Sequence, residues 1–326
     1  MTDPRIFRLP YPVRPASVHT AWARQESFEW FTKQGMLTND ADKAAFQSWD
    51  LTSLMGMSAR GASANGVLMA ANCLNFCGVV DDVYDGPRWK DATAARRGAE
   101  RLCGVFEGEQ DDWVLARGFA GVWSQLSAGR SPQWCARAAE HWRWYFECFE
   151  AESLLGQQEL QISQQDYLDL RLRSGFTLAI FDWLEAAFDF ETSERVQRVP
   201  EVRRMLELGA LVVSVTNDVH SVEKEAIHGG TPNMVLLIER DEECSREEAL
   251  ERTCAWMRQQ CAEIIKLDSR LADACLAAGV PLVEIEGAER VVRAMEDLIS
   301  AGVPWGEATG RYRRLNKWQD PLLDGE

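Results

Sequence analysis

Two stretches of oxygen-bearing side chains could do chemistry in this chain. The first is Asp81-Asp82-Val83-Tyr84-Asp85, at the end of the most apolar run, Gly66 to Val80. Such a run should be buried, and a buried carboxylate is costly unless it is paired or bound to a cation. On a helix, Asp81 and Asp85 stand one turn apart on the same face. Two hard oxygen ligands facing a pocket suit Mg2+, which keeps several waters and is usually completed by substrate phosphates. The first reading is therefore a magnesium–diphosphate site at the rim of an apolar cavity. Taken alone, the run fits a solvated acidic helix end equally well.

The second stretch is Asn217-Asp218-Val219-His220-Ser221-Val222-Glu223-Lys224-Glu225. Asn217, Ser221 and Glu225 recur every fourth residue and form a stripe about 12 Å long at the helical rise. An amide, a hydroxyl and a carboxylate on one stripe are a candidate second magnesium site. By itself the stretch also reads as a helix passing from core to solvent. The two stretches strengthen each other, because each ends an apolar helix and each shows oxygen on one face. His220 turns away from the second stripe.

The whole chain narrows the partners. It has 326 residues, 46% hydrophobic and 26% charged, with ample material for a core. A net charge of −16 speaks against nucleic acid and against an anionic membrane. An anionic substrate would need metal ions to offset that charge. The nine cysteines include no CxxC pair, and with four scattered histidines they do not suggest zinc. The start, MTDPRIFRLPYP, lacks the basic-then-apolar pattern of a leader. No run approaches 18 uninterrupted apolar residues, so no spanning helix is expected. These features together suggest a cytosolic, reduced protein.

The elements needed to position these groups are helices. Residues 1–16, with four prolines, form an extended arm, and a single helical domain is expected over 17–326. Leu37 to Asn39 breaks the first helix and Asp40 caps the next. A long apolar helix should span Ala62 to Tyr84, stopped by Gly86-Pro87. Thr93 to Cys103, Asp111 to Leu126 and Pro132 to Leu155 follow. Ser163 caps a further segment, and Arg171 to Phe190 is mostly apolar and aromatic. Pro200 opens a helix to about His228, ended by Gly229-Gly230, and Thr231-Pro232 starts another. Ser245 and Glu248 form a capping box ahead of a helix to Cys275. Pro281 to Ile299 and Pro304 to Trp318 complete the set. No alternating strand pattern, repeat or low-complexity tract occurs. The fold class is all-α, a helical bundle around an apolar cavity.

The ordered motifs resemble those of the class I terpene synthases, in particular the single-domain bacterial and fungal type. DDVYD is similar to the family's aspartate-rich motif, and NDVHSVEKE to its second metal motif. Arg171 lies 46 residues before Asn217, where the family places an arginine that senses diphosphate. Gly175 matches the residue whose carbonyl is thought to trigger ionisation, with Ser174 linking the two. Arg311-Tyr312 matches the pair that bonds diphosphate on closure. Arg173 competes with Arg171, and spacing alone favours Arg171. No DxDD sequence is present, so protonation-initiated chemistry is not expected.

The resemblance implies a cyclase that ionises an allylic prenyl diphosphate, farnesyl diphosphate first and geranylgeranyl diphosphate next. It implies three Mg2+ ions. Asp81, with Asp82 and Asp85 in support, would hold the first pair, and Asn217, Ser221 and Glu225 the third. Arg171, Lys224, Arg311 and Tyr312 would donate to diphosphate oxygens. Rings would guard the cation, with Phe76 and Trp305 the first candidates and Phe176, Phe181 and Trp183 behind them. Such enzymes are often homodimers. The rivals are a chain-elongating isoprenyl diphosphate synthase and a non-catalytic helical protein that binds a hydrophobic ligand.

Overall fold

The computed structural model describes residues 7–157, 162–228 and 232–312, and no strand occurs among them. The helices before the first acidic motif are α1 (Thr20–Lys33), α2 (Asp40–Trp49), α3 (Leu51–Ser58) and α4 (Ala64–Tyr84). Then come α5 (Ala92–Gly104), α6 (Val114–Ser127), α7 (Pro132–Gln157), α8 (Gln164–Ser174) and α9 (Thr177–Ala187). The remainder are α10 (Glu194–Gln197), α11 (Pro200–His228), α12 (Met234–Asp241), α13 (Arg246–Asp268), α14 (Leu271–Ala277) and α15 (Leu282–Ala308).

Helix α4 is central, packed by α1, α3, α6 and α9. Its 18-residue apolar window would suit a membrane span by composition, yet 78% of that window is buried inside the molecule. Its apolarity is that of a core helix. Gly66 lets it approach α9, since a Cβ there would lie 2.3 Å from the Ala187 carbonyl oxygen. Helix α11 lies against α13, α15 and α12 and also touches α8 and α9. The apolar core runs from Phe7 to Trp305 and is continuous. All nine cysteines are unpaired.

Local chemistry explains most helix starts. Ser63 accepts from Gly66 N, Asp91 from Ala94 N and Ser163 from Asp166 N. Ser245 and Glu248 close the expected capping box. Other boundaries differ from the sequence reading. Asn39, not Asp40, caps α2 through its side chain. Asp111 does not begin a helix; it accepts from Trp113 N at 2.7 Å and pairs with Arg101 at 2.6 Å, and α6 starts at Val114. The stretch to Cys275 is two helices, parted at Ser269-Arg270. Asn233 caps α12, whereas Thr231 and Gly229-Gly230 fall outside the described residues, as does Trp318.

Pro304 sits inside α15 rather than opening a new helix. An interior proline costs about 3 kcal/mol or more. Tertiary anchoring offsets that cost. Trp305 Nε1 donates to the carbonyls of Trp49 and Asp50, each at 3.0 Å, and Thr309 Oγ1 donates to Trp49 O at 2.7 Å. Nearer the start of the chain, Phe7 is buried and stacks on His220 with ring centroids 4.8 Å apart.

Replacing Gly66 with Ala should lower unfolding free energy by about 1–3 kcal/mol, the usual cost of overpacking. Urea unfolding checks this, and an unchanged midpoint would mean that α4 and α9 part freely.

Candidate active site

A cavity of about 420 Å³ opens between the C-terminal end of α4 and the second half of α11. That volume lies in the range of small-molecule sites. Leu51, Leu54, Leu74, Ile180, Val213 and Leu298 line its apolar part, with Tyr145, Phe149, Phe176 and Trp305 as rings. Asp81, Asp85, Arg171, Asn217, Ser221, Lys224, Glu225, Arg311 and Tyr312 also line it. The two acidic stretches, far apart in sequence, therefore face one space.

On α4 the cavity is lined by Leu74, Gly78, Asp81 and Tyr84, and Asp85 follows at the helix's C-cap, one turn beyond Asp81. Tyr145 on α7 donates its hydroxyl to Asp81 Oδ1 at 2.6 Å. Arg311 donates to Asp81 Oδ2 at 3.1 Å and lies 3.3 Å from Asp82 Oδ1. Asp82 is thus held by Arg311 beside the cavity rather than lining it. Burial raises the Asp81 pKa, against the opposing pull of Arg311 and Tyr145. Burial also works against the Arg311 charge, but Asp82 and Asp81 outweigh it and raise its pKa.

On α11 the buried Asp218 organises the second stretch. It accepts from Arg171 Nε at 3.1 Å, Tyr167 OH at 2.7 Å and Met234 N at 3.1 Å. Arg171 also donates to Asn217 Oδ1 at 2.8 Å, and Asn217 Nδ2 donates to Tyr312 OH at 2.8 Å. Asn233 caps α12 with its oxygen while its amide donates to Glu225 Oε2 at 2.6 Å and to Asp218 O at 2.8 Å. Burial, then the Asp218 charge, pushes the Glu225 carboxyl up to about 7. Arg173 stands 5.8 Å from the Trp144 ring centroid and is not at the cavity, so the arginine at the site is Arg171.

The stretch Arg171 to Phe190 breaks at Gly175, between α8 and α9. Phe176 takes φ +43, a left-handed conformation that is strained for a bulky residue. A Cβ on Gly175 would lie 2.1 Å from Ser214 Oγ, so the position admits no side chain. The Gly175 carbonyl accepts from Thr177 Oγ1 at 3.1 Å.

The aromatic expectations divide. Trp305 and Phe176 line the cavity. Phe76 does not; it is fully buried against Phe119 and Trp142. Five residues separate it from Asp81, which places it about 140° around the helix. Phe181 and Trp183 are also core residues and do not line the cavity. His220, read as turning away, lies outside the stripe but does reach the cavity, and its ring stacks on Tyr312 at 5.8 Å. Burial lowers its pKa to about 4. Sequence reasoning missed Tyr145, Glu152, Asn233 and the anchoring role of Asp218. Only Asp218 carried a signal, as an acid beside Asn217 on the inward side of the helix.

Substituting Asp218 with Ala strands the Arg171 guanidinium. Breaking a buried pair by removing one partner costs about 3–5 kcal/mol. Urea unfolding should show a loss of that size, and a loss under about 1 kcal/mol, a surface-pair value, would deny the anchoring role.

Known proteins resemble this chain in sequence and in fold. The family model described as terpene synthase family 2, C-terminal metal binding, matches residues 72–263. A (-)-beta-caryophyllene synthase of Saccharothrix espanaensis is 28% identical over 94% of this chain and 88% of its own. The pentalenene synthase of Streptomyces exfoliatus is 28% identical over 94% and 92% respectively. The crystal structure of germacradien-4-ol synthase from Streptomyces citricolor superimposes with a TM-score of 0.83 at 26% identity, covering 93% of this chain and 98% of that one. The chain belongs to the terpene synthase family, as a class I terpene cyclase of the bacterial type that works with a divalent metal.

Proposed function

We propose that the chain is a sesquiterpene cyclase, a carbon–oxygen lyase that releases diphosphate from farnesyl diphosphate and closes the remaining cation into a ring. The observation that carries this reading is the convergence of both oxygen-bearing stripes and the Arg171, Arg311 and Tyr312 donors at one end of an apolar cavity. Three relatives with 24–28% identity are described as cyclising (2E,6E)-farnesyl diphosphate. Chain elongation and ligand binding without catalysis have no comparable support.

The donor set fits Mg2+. Asp81 and Asp85 on one side and Asn217, Ser221 and Glu225 on the other are all hard oxygen donors. Among the described residues no three His, Cys, Asp or Glu side chains converge to enclose an ion. The chain thus offers few ligands per ion and leaves positions for water and phosphate oxygens, which is how Mg2+ is commonly held. We propose three ions, with Asp82 in support through Arg311. When bound, they offset the negative charge that develops on the leaving diphosphate.

The protein's own groups do the rest. Arg171, Lys224, Arg311 and Tyr312 orient the diphosphate by charge-assisted hydrogen bonds. The carbon–oxygen bond breaks and its electron pair leaves with the diphosphate. Phe176, Phe149, Tyr145 and Trp305 then offer ring faces to the allylic cation, while the apolar wall keeps water away.

Asp81→Ala and Asn217→Ala should each cut product formation from farnesyl diphosphate by at least about 10²-fold, the scale of losing a transition-state stabiliser. Both variants should remain folded at the assay temperature, although Asp81→Ala should lower the unfolding midpoint because Arg311 and Tyr145 lose a buried partner. Gas chromatography of a hexane extract reads the first quantity, and two active variants would refute the metal assignment.

Metal loading should also depend on pH with a definite sign. Glu225, near 7, holds a proton below that pH and must release it to bind a cation. Affinity for Mg2+ should rise as pH rises through about 7 and level above it. Calorimetry at pH 6.5 in two buffers of different ionisation enthalpy should show proton release, and affinity that does not change between pH 6 and 8 would contradict the role.

A further inference from the structure

We infer that Gly302 is a specificity-determining residue, the position on α15 that leaves room for a farnesyl chain to fold before a ring closes. The inference rests on the function proposed above and deepens it. Leu298, Gly302 and Trp305 form the cavity face of α15, spaced by four and three. Gly302 therefore leaves a gap in the middle of a wall whose other two members are large.

Three glycines line the cavity, and packing forces two of them. A Cβ on Gly78 would lie 2.6 Å from Leu51 Cδ1, and one on Gly175 would lie 2.1 Å from Ser214 Oγ. Gly302 differs. Apart from its chain neighbours and its own helix backbone, a Cβ there would meet only Thr216 Cγ2 among the described residues, at 3.5 Å, an ordinary van der Waals contact. Nor does the backbone demand glycine, since Gly302 lies within α15 and its φ is not positive. Inside a helix glycine is less favourable than alanine. Protein interiors are close-packed, so a gap that could be filled without a clash points to an occupant.

The walls of this gap are fixed. Trp305 Nε1 donates to the carbonyls of Trp49 and Asp50, each at 3.0 Å, so the indole does not swing across it. Thr216 also lines the cavity, and its Oγ1 donates to Val212 O at 2.8 Å, which holds its methyl toward α15. Thr216 immediately precedes Asn217, so the gap lies close under the charged rim. There a prenyl chain held by its diphosphate must bend back on itself before a ring can close. A side chain at 302 would take that room from a farnesyl chain, and a geranyl chain, one isoprene unit shorter, would lose less. Pro304 supplies a rival reason for the glycine, because kinks form at proline and a nearby glycine can absorb them. The two reasons predict opposite effects of alanine on stability.

The test compares Gly302→Ala, Gly302→Val, Gly302→Leu and the double variant Gly302→Ala/Thr216→Ser, which gives back one methyl and keeps the hydroxyl bonded to Val212. Calorimetry with Mg2+ gives affinities for the unreactive farnesyl and geranyl thiolodiphosphates and for inorganic diphosphate. Gas chromatography gives the products from farnesyl diphosphate, and urea unfolding gives the midpoint. Gly302→Leu should lower the ratio of farnesyl to geranyl affinity at least about 10-fold, the scale on which apolar pockets discriminate by size. Its affinity for inorganic diphosphate should stay within about 3-fold of wild type. Gly302→Ala should unfold at or above the wild-type midpoint and give a larger share of acyclic product, and the double variant should move that share back toward wild type. An unchanged affinity ratio in Gly302→Leu would overturn the inference. So would a loss shared by inorganic diphosphate, an unchanged product mixture in all three single variants, or a double variant no closer to wild type than Gly302→Ala. A Gly302→Ala midpoint below wild type would overturn it too, and would assign the glycine to the Pro304 kink. If Gly302→Leu does not fold, Gly302→Val decides on the same ratio. A wild-type protein that forms no product from farnesyl diphosphate and binds neither thiolodiphosphate would refute the proposed function and this inference together, whereas an active wild type with an unaltered ratio in Gly302→Leu refutes the inference alone.

Discussion

The structure depends on keeping buried carboxylates matched by cations at the mouth of an apolar cavity. Two pairs carry most of that load. Arg311 spans Asp81 and Asp82, and Arg171 is held by Asp218 and Asn217. Unpaired, each of these charges would be expensive in the interior. Paired, they link elements distant in sequence: the end of α4 to the segment after α15, and α8 to α11. Tyr312 adds a third link through Asn217. Any anion entering here meets donors already arranged, and preorganised donors need little rearrangement as charge develops.

The apolar part of the cavity serves a different demand. A carbocation survives only where water and strong nucleophiles are absent, so the wall below the charged rim is aliphatic and aromatic. The rim and the wall meet at the break between α8 and α9. There a left-handed Phe176 and a glycine pressed against Ser214 line the cavity, and the Gly175 carbonyl accepts from Thr177 Oγ1. Strain of this kind costs about 1–3 kcal/mol and tends to collect at functional sites. The packed core beneath, with Phe76, Phe119, Trp142 and Phe146 in mutual ring contact, is rigid enough to hold it.

Much of this was legible in the sequence. Helical spacing alone put Asp81 with Asp85 and Asn217 with Ser221 and Glu225, and the structure brings both sets to one cavity. The helical class followed from periodicity, since no alternating stretch competed with it. What failed did so for tertiary reasons. Pro304 looked like a helix start because its cost is local, whereas the Trp305 and Thr309 bonds that override it come from residues 49 and 50. Phe76 lies close to Asp81 in sequence, yet the five-residue offset between them turns it away from the cavity face of the helix. Tyr145 and Glu152 escaped notice because an aromatic stripe on α7 looks like any core stripe until its neighbours are known. Asn233 reads as an ordinary helix cap, and only the fold shows its amide reaching Glu225.

The proposed function requires α4 and α11 to grip one metal-bound diphosphate between them. A crystal structure of the protein with inorganic diphosphate and Mn2+ in place of Mg2+ tests it most directly, because anomalous scattering locates the ions. Mn2+ is expected at Asp81 and at Asn217, Ser221 and Glu225, with one diphosphate bridging the two sides and bonded by Arg171 and Arg311. Ions at other residues, or diphosphate bound away from both stripes, would contradict it.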